Sequence, residues 1–305
     1  MQRWDLVIVG AGAAGLATAL WAGRLGLTAL VLDRADRPGG QLHLHRLPVV
    51  DYPGLPVTEP RALAAELAAG AQRMGATLRL GCAVTAIQPL AGADGAHWQI
   101  ESRDGLFLAR DLVLATGLSP RPLGVPGEAE LYQTGLVRRP TQEPDWFRGR
   151  DVVVIGGGDR AVENALLLGP IAQSVTLVHR RPALRARPAL TERLPEAGVR
   201  LLLDLSVTQV DRSGEGAYLH LSNGQSLRAN AVCPYVGNAP NTGLLQGILP
   251  LNSGELQTDR WGATSLPGLW AVGDLATPAP FQSLSRAVGD GMGVAKAILL
   301  RHAQP

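Results

Sequence analysis

The sequence predicts an α/β fold with two Rossmann-like three-layer domains, one inserted into the other. Two apolar strands each run into a glycine-rich turn, VIVGAGAAG at residues 7–15 and VVVIGGGDRA at residues 152–161. A helical pattern, a further apolar strand and a hairpin signal follow each turn, so one plan occurs twice. The first glycine of such a turn permits a tight bend, the second lets a pyrophosphate approach, and the third position keeps the helix against the sheet. We therefore expect two dinucleotide-binding domains.

Hydrophobic periodicity defines the elements of the first unit. Strands are expected at 6–9 and 28–33 on either side of a helix at 13–25, because the apolar residues change there from continuous runs to helical spacing. Asp104-Gly105 is a strong hairpin turn. The remaining predicted elements are a helix at 61–74 and strands at 78–80, 83–88, 98–101, 106–108 and 112–115.

A stretch rich in proline and glycine at 120–127 marks the passage to the second unit, which repeats the plan. Its predicted elements are strands at 152–155, 175–179, 199–203 and 231–236, helices at 160–168 and 190–194, and a hairpin around Asn223-Gly224. A strand at 269–272 and a long helix at 283–300 follow without a glycine turn of their own, so we expect them to complete the first domain. The expected domains are 1–116 with 242–305, and 117–241.

The charge that follows the second strand of each unit distinguishes the two nucleotides. The first unit has Asp33 there, and a carboxylate accepts hydrogen bonds from ribose hydroxyls. The second unit has Arg180 and Arg181 after His179, and paired guanidiniums bind a 2′-phosphate. These residues predict an unphosphorylated adenosine, as in FAD, for the first domain and NADP for the second. The alternative is that the arginine pair is only the solvated end of a strand. The position of the pair after the second strand argues against this alternative.

Composition excludes several classes of function. The 305 residues include 28 basic and 26 acidic side chains without long charged runs, so we expect no nucleic-acid partner. Residues 6–23 are uncharged, but the glycine spacing accounts for them as strand, turn and buried helix, and we expect no membrane segment. The two cysteines, Cys82 and Cys233, lie in separate apolar segments, which favours buried thiols over a disulfide or a metal site. These features indicate a cytoplasmic protein.

Further motifs resemble the low-molecular-weight thioredoxin reductase family of flavoproteins over essentially the whole chain. The motifs are the two glycine turns, Pro38-Gly39-Gly40-Gln41-Leu42, Asp51-Tyr52-Pro53-Gly54, Ala115-Thr116-Gly117, His179-Arg180-Arg181 with Arg185, Pro240-Asn241-Thr242 and Gly273-Asp274. The resemblance implies FAD bound by segments near both ends of the chain, NADPH bound by the inserted domain, and a homodimer.

The family's cofactor residues carry over position by position. For FAD the resemblance implies contacts from Gly10, Gly12, Ala14, Gly15, Asp33, Arg34, Gly40, Gln41, Asp51, Val84, Ala115, Thr116, Gly117, Gly273, Asp274, Gln282 and Ser283. For NADPH it implies contacts from Gly156, Gly158, Asp159, Arg160, Ala161, His179, Arg180, Arg181 and Arg185. The family usually has serine or threonine where Arg160 stands, so this arginine either strengthens the pyrophosphate contact or partly blocks the site.

One segment departs from the family pattern. Arg139-Pro140-Thr141-Gln142 stands where thioredoxin reductases carry Cys-x-x-Cys, counting back from the basic-Gly-basic entry Arg148-Gly149-Arg150. Cys82 and Cys233 cannot easily replace that dithiol, because they are far apart in sequence and in different predicted domains. Thioredoxin reductase activity is therefore not expected.

We hypothesise an FAD-dependent NADPH oxidoreductase that passes electrons to an external acceptor such as a ferredoxin, a flavodoxin or a quinone. The flavin supplies the chemistry. His43 and His45 would share a face if extended, and either is a candidate proton donor near the flavin, although a loop histidine without this role is the commoner case. Two alternatives stay open: a redox sensor or partner protein that binds both nucleotides without turnover, and a flavoprotein whose middle site does not use NADPH.

Overall fold

The computed structural model describes residues 3–44, 48–56, 58–90, 98–251 and 256–303. In chain order the elements are β1 (Arg3–Val9), α1 (Ala13–Arg24), β2 (Ala29–Leu32), α2 (Pro60–Arg73), β3 (Thr77–Arg79), β4 (Val84–Pro89), β5 (Trp98–Ser102), β6 (Gly105–Leu114), β7 (Leu118–Pro120), α3 (Glu128–Gln133), β8 (Asp151–Gly156), α4 (Asp159–Leu168), β9 (Ser174–Val178), α5 (Pro188–Thr191), β10 (Val199–Leu202), β11 (Val207–Ser213), β12 (Gly216–Leu221), β13 (Ser226–Ala229), β14 (Ala231–Tyr235), β15 (Asn238–Pro240), β16 (Leu269–Ala271) and α6 (Leu284–His302). They form two compact units, Met1–Ser119 with Ala239–Pro305, and Pro120–Asn238.

The first unit is built on a mostly parallel sheet that is buried on both faces. Its strand order is β3-β2-β1-β6-β5-β4, and β16 pairs with the end of β6. Val7 lies opposite Leu30 on one side and Leu112 on the other. Because side chains alternate along a strand, these three residues enter one core, whereas Ile8 and Val31 enter the core on the opposite face.

Helices α1 and α6 cover one face of this sheet. They approach closely because α6 presents Gly291, where a Cβ would lie 2.6 Å from a carbonyl oxygen of α1. The end of α6 is held by Asp111 on β6, which is fully buried. The Asp111 carboxylate accepts hydrogen bonds, each at 2.6 Å, from Trp270 Nε1, Arg301 Nη1 and His302 Nε2. The last elements of the chain are thus integral to the first unit.

The second unit repeats the plan with a parallel sheet of order β10-β9-β8-β14. Val152 and Val154 face the core that α4 covers, and Val153 and Ile155 face the core shared with the antiparallel sheet β11-β12-β13. The helix, the parallel sheet and the antiparallel sheet form three layers. At the two places where the chain passes between the units, β7 and β15 pair with each other.

The predicted α/β class with two Rossmann-like domains is confirmed. Some elements differ: the strands predicted at 106–108 and 112–115 are one continuous strand, β6, and the helix predicted at 190–194 is the short α5. The predicted domain junctions, after 116 and 241, lie a few residues from the unit boundaries. Within the described residues, no helix is both long and apolar enough to cross a bilayer.

Candidate functional site

The first glycine turn connects β1 to α1. Gly10 has φ +115, and a Cβ there would lie 2.3 Å from the carbonyl oxygen of Ala115, so this bend requires glycine. A Cβ on Gly15 would lie 1.9 Å from the carbonyl oxygen of Gly10, because α1 packs directly on the turn. A Cβ on Gly12, the N-cap of α1, would meet no atom of the described residues within 4 Å. The N-terminus of α1 therefore faces an open space, where its N–H groups and positive dipole end favour an anion.

Asp33 follows β2 and lies beside this turn. Its Oδ2 accepts a hydrogen bond from the Ala11 N–H at 2.5 Å, and its Oδ1 accepts one from the Ala35 N–H at 2.8 Å. A carboxylate has about four acceptor positions, so further ones are available to ribose hydroxyls. The N–H of Cys82 donates to the carbonyl oxygen of Asp33 at 2.8 Å, and Val84 begins β4 two residues later. The start of β4 therefore lies near the acidic end of β2.

Two loops remote in sequence meet at the same turn. A Cβ on Gly40 would lie 3.1 Å from Cα of Gly12, so the loop after β2 runs against the start of α1. Gln41 Nε2 donates to Asp274 Oδ2 at 3.1 Å. This hydrogen bond joins the loop after β2 to the segment after β16.

The segment that leads into α6 also packs on the start of α1. A Cβ on Gly273 would lie 2.8 Å from the methyl group of Ala14. Gln282 Nε2 donates to the carbonyl oxygen of Thr277 at 2.9 Å and so closes the loop before α6. Ser283 caps α6, because its Oγ accepts a first-turn N–H at 3.1 Å. The predicted residues Gly273, Gln282 and Ser283 thus belong to one ordered segment.

The strand end at Ala115-Thr116-Gly117 is fixed by Asn241. Thr116 Oγ1 donates to the carbonyl oxygen of Asn241 at 2.9 Å, and Asn241 Nδ2 donates to the carbonyl oxygen of Thr116 at 2.8 Å. The N–H of Asn241 donates to the carbonyl oxygen of Gly117 at 3.0 Å. These three bonds hold the backbone that contacts the glycine turn.

His43 lies in a short 3-10 helix, Gly40–Leu44, so the extended conformation in which it would share a face with His45 is not adopted at this residue. His45 lies outside the described residues. His43 Nε2 lies 2.6 Å from the carbonyl oxygen of Pro38 and must donate to it, because a carbonyl only accepts. Nδ1 is buried without a hydrogen-bond partner among the described residues.

The first unit therefore gathers a helix N-terminus, an acidic strand end and two loops around the first glycine turn. Most of the residues that the resemblance assigns to FAD belong to these segments. Asp51 and Arg34 are exposed, and in the described part of the chain neither side chain hydrogen-bonds to the turn. Backbone N–H groups beside a carboxylate fit the pyrophosphate and ribose of FAD.

The second glycine turn connects β8 to α4 and has the same construction. Gly156 has φ +150, and a Cβ there would lie 2.4 Å from the carbonyl oxygen of Tyr235 and 3.1 Å from the methyl group of Ala161. A Cβ on Gly158, the N-cap of α4, would meet no atom of the described residues within 4 Å. The N-terminus of α4 is therefore as accessible to a pyrophosphate as that of α1.

His179 follows β9 and is buried against this turn. A Cβ on Gly157 would lie 2.4 Å from Cε1 of the His179 ring, so the middle glycine makes room for the imidazole. Burial lowers the pKa of His179, and neighbouring positive charges lower it further. The charges are those of Arg185, Arg181 and Arg180. The ring is therefore neutral, with an Nε2 that has no partner among the described residues, and the three arginines are exposed.

Asp159 has a structural partner that the sequence reasoning missed. Its Oδ1 accepts the Arg187 N–H at 2.8 Å, and its Oδ2 pairs with Arg187 Nε at 2.8 Å. Glu163, one turn further along α4, pairs with the same guanidinium at 3.2 Å. Two acids four residues apart on a helix are the sequence signal for such an arginine clamp. Asp159 thus fastens the loop after β9 to α4.

The segment 139–142 forms a turn, in which the Gln142 N–H donates to the carbonyl oxygen of Arg139 at 2.9 Å. Cys82 and Cys233 are free, buried and in different units. Burial raises the pKa of both thiols, which keeps them protonated and weakly nucleophilic. No group of three or more His, Cys, Asp or Glu side chains within the described ranges could hold a metal ion.

Fold and turns together define a two-domain dinucleotide-binding protein. The chain matches the family described as pyridine nucleotide-disulphide oxidoreductase over residues 4–291, and it belongs to that family. It is 32% identical over 302 residues to a thioredoxin reductase of Treponema pallidum, covering 96% of this chain and 95% of that one. It is 34% identical over 307 residues to a ferredoxin–NADP reductase of Salinispora tropica, covering 97% and 92%. The crystal structure of T. acidophilum thioredoxin reductase is similar at a TM-score of 0.85 and 28% identity, covering 100% of both chains. The resemblance to thioredoxin reductases expected from the motifs is confirmed.

Proposed function

We propose that this protein is an FAD-dependent NADPH oxidoreductase that has no redox-active disulfide and passes electrons to an external acceptor. The observation that carries the proposal is the pair of similar glycine turns with opposite charges beside them. Asp33 hydrogen-bonds to the first turn, whereas Arg180 and Arg181 follow the histidine buried against the second. The acidic side chain beside the first turn and the arginines beside the second select different adenosine groups.

FAD would be held by the first unit. The N-terminus of α1 would bind its pyrophosphate, and Gly10, Gly12 and Gly15 are the positions that let backbone and cofactor approach. Asp33 would accept hydrogen bonds from the adenosine ribose, and Gln41 and the segment at Asp274 would contact the flavin half. When bound, FAD supplies two-electron chemistry with a nicotinamide and electron delivery to the acceptor.

NADPH would be held by the second unit. The backbone N–H groups at the start of α4 would bind its pyrophosphate, and the arginine clamp of Asp159 would hold the loop after β9 in position. Arg180, Arg181 and Arg185 would bind the 2′-phosphate, since guanidiniums form charge-assisted bonds with phosphate. The neutral His179 adds no charge and packs against the glycine turn.

The acceptor would receive electrons directly from the flavin. A disulfide relay needs two thiols in reach of each other and of the flavin, with a thiolate formed near neutral pH. Cys82 and Cys233 are buried in different units, and burial raises the pKa of each thiol. We therefore propose a small redox protein or a quinone as acceptor in place of thioredoxin, and a cytoplasmic homodimer as the working form. The name of the Salinispora relative, a ferredoxin–NADP reductase, supports the first class of acceptor.

Anaerobic rapid mixing of the purified holoprotein with NADPH tests the proposal. We expect the visible absorbance of FAD to bleach at least as fast as steady-state turnover with ferricyanide. Bleaching that is much slower than turnover, or none, would favour a sensor or a middle site that does not use NADPH. A colourless protein that cannot be reconstituted with FAD would overturn the proposal entirely.

A further inference from the structure

Two arginines and a tyrosine lie together at the carboxyl edge of the parallel sheet of the second unit. Tyr235 is the last residue of β14 and pairs in register with Gly156, the last residue of β8. Arg160 lies in the first turn of α4, which follows β8. Open α/β sheets bind ligands at the carboxyl ends of their strands. Arg160 and Tyr235 therefore stand where this fold places ligands.

Arg139 reaches the same edge from the segment before β8. Val137 forms a parallel bridge with Val232 of β14. The Cys233 thiol donates to the carbonyl oxygen of Arg138 at 3.4 Å, so the two segments run side by side in the same direction. The next residue, Arg139, consequently lies beside the end of β14.

The charges of Arg139 and Arg160 both act on the phenol at the end of β14. Burial raises the pKa of Tyr235, whereas the charges of Arg139 and Arg160 both oppose the rise. Burial also raises the pKa of Tyr132, on α3, and Arg139 again opposes the rise. Arg139 thus acts on both phenols, and both phenols stay protonated and able to donate a hydrogen bond.

Arg139 and Arg160 each bring a positive charge to this edge of the sheet. Among the described residues, neither guanidinium has a carboxylate partner, although neighbouring arginines do: Arg138 pairs with Glu143 at 2.9 Å. Two unpaired guanidiniums near one another repel, and an anion placed between them relieves that repulsion. Fixed positive charge at a ligand-binding edge indicates an anionic ligand.

This cluster is distinct from the arginines that would bind the 2′-phosphate. The sheet order puts β9 and β14 on opposite sides of β8, so Arg180 and Arg181 lie across the glycine turn from Tyr235. We propose that Arg139, Arg160 and Tyr235 bind the anionic group of a planar aromatic electron acceptor, with the half-exposed Tyr132 ring beside it. Tyrosine rings and guanidiniums both stack on flat π-systems, and guanidiniums also bind phosphate.

This inference rests on the proposed function, which supplies the electrons. In the overall reaction, NADPH gives up a hydride and becomes NADP⁺, and solvent gives one proton. An oxidised flavin or quinone takes up these two electrons and two protons and becomes its dihydro form. The proposed cluster takes no part in bond making, because it binds and orients the acceptor.

Flavin mononucleotide and riboflavin are the matched probes, since they share the same ring system and differ in the phosphate. We expect the FAD-saturated wild-type enzyme to prefer flavin mononucleotide by kcat/KM. In the variant Arg139→Ala, and more so in Arg139→Ala/Arg160→Ala, the preference ratio should fall by about tenfold or more, the loss expected for a charged phosphate contact. Arg212→Ala and Arg228→Ala, in exposed positions on β11 and β13, are controls that should keep the wild-type ratio.

Binding provides a second readout that does not depend on turnover. Quenching of flavin fluorescence should show that the FAD-saturated protein binds flavin mononucleotide more tightly than riboflavin, and that the double variant loses the difference. Equal binding and equal kcat/KM for both probes in the wild type would overturn the inference. So would a higher KM for NADPH in the variants with an unchanged preference ratio, because the arginines would then serve the coenzyme. Failure of NADPH to reduce the bound FAD would refute the proposed function instead, while the binding measurement would still decide on the cluster.

Discussion

The arginines after β9 offer the most direct test of coenzyme choice. The proposal assigns the 2′-phosphate of NADPH to Arg180 and Arg181, both exposed and without carboxylate partners in the described part of the chain. Replacing both by alanine removes these contacts and leaves the buried imidazole of His179 in place. NADH lacks the 2′-phosphate, so the same replacement should hardly affect it.

The expected size of the effect follows from charge-assisted hydrogen bonding. Such a bond contributes about 1.5–3 kcal/mol, and solvent screening puts exposed guanidiniums at the lower end. Two contacts of this kind that are partly redundant should contribute about 2 kcal/mol, and about 1.4 kcal/mol corresponds to a factor of ten. The KM for NADPH of Arg180→Ala/Arg181→Ala should therefore rise roughly 10- to 100-fold.

Steady-state kinetics with both coenzymes and ferricyanide as acceptor measure this effect. Arg200→Ala is the matched control, because Arg200 is an exposed arginine on the neighbouring strand β10. It should leave both KM values near those of the wild type. Equal losses with NADPH and NADH in the double variant would refute the reasoning, since the arginines would then support the loop and not the phosphate.

Three further outcomes are expected. Gly12→Val should fold but lose FAD, whereas Gly158→Val should keep FAD and lose NADPH binding, since a Cβ at either position would meet no atom of the described residues within 4 Å. Flavin absorbance and coenzyme titration measure the two losses, and a yellow Gly12→Val protein would contradict the first site. Reductive titration should stop at two electrons per FAD, and Cys82→Ser/Cys233→Ser should keep ferricyanide turnover; uptake of four electrons would show a working dithiol. The lowered pKa of His179 means that the unfolded chain, with a histidine pKa of about 6.5, binds the proton first as the pH falls, so thermal stability should drop on acidification from about pH 7 to pH 5. His179→Gln should reduce that drop, and an unchanged pH profile would count against a buried neutral imidazole.

Local patterns predicted most of the fold because the apolar runs are long and clearly bounded. Both glycine turns are recognisable in the sequence, because their backbone requires glycine. Gly10, for example, has φ +115 and leaves no room for a Cβ beside the carbonyl oxygen of Ala115. The charges after the second strands were equally predictable, because the plan repeats: Asp33 follows the second strand of the first unit, and Arg180 comes after His179 at the end of the matching strand. What could be predicted was therefore what a short segment determines by itself.

Features that depend on distant partners were missed. The clamp on Arg187 needs Asp159 and Glu163 from another element, and the arginine alone reads as a solvated side chain. Likewise, Tyr235 and Arg139 come together through the pairing of their segments, which no spacing in the sequence reveals. His43 does not adopt the extended conformation that a shared face with His45 would need, because Gly40, at φ +52, begins a 3-10 turn there.

The late position of β16 and α6 has a consequence for biosynthesis. A ribosome delivers β1 to β6 first, but the sheet face that carries Ile8 and Val31 stays uncovered by α6 until residues 284–302 emerge. The inserted unit is synthesised in between. All its strands lie in one continuous stretch of chain, so it can fold before the first unit is complete. We therefore expect the chain to need a chaperone most while only its N-terminal half has been synthesised. A chain truncated before Arg301 and His302, the partners of Asp111, should leave the first unit incomplete and prone to aggregate.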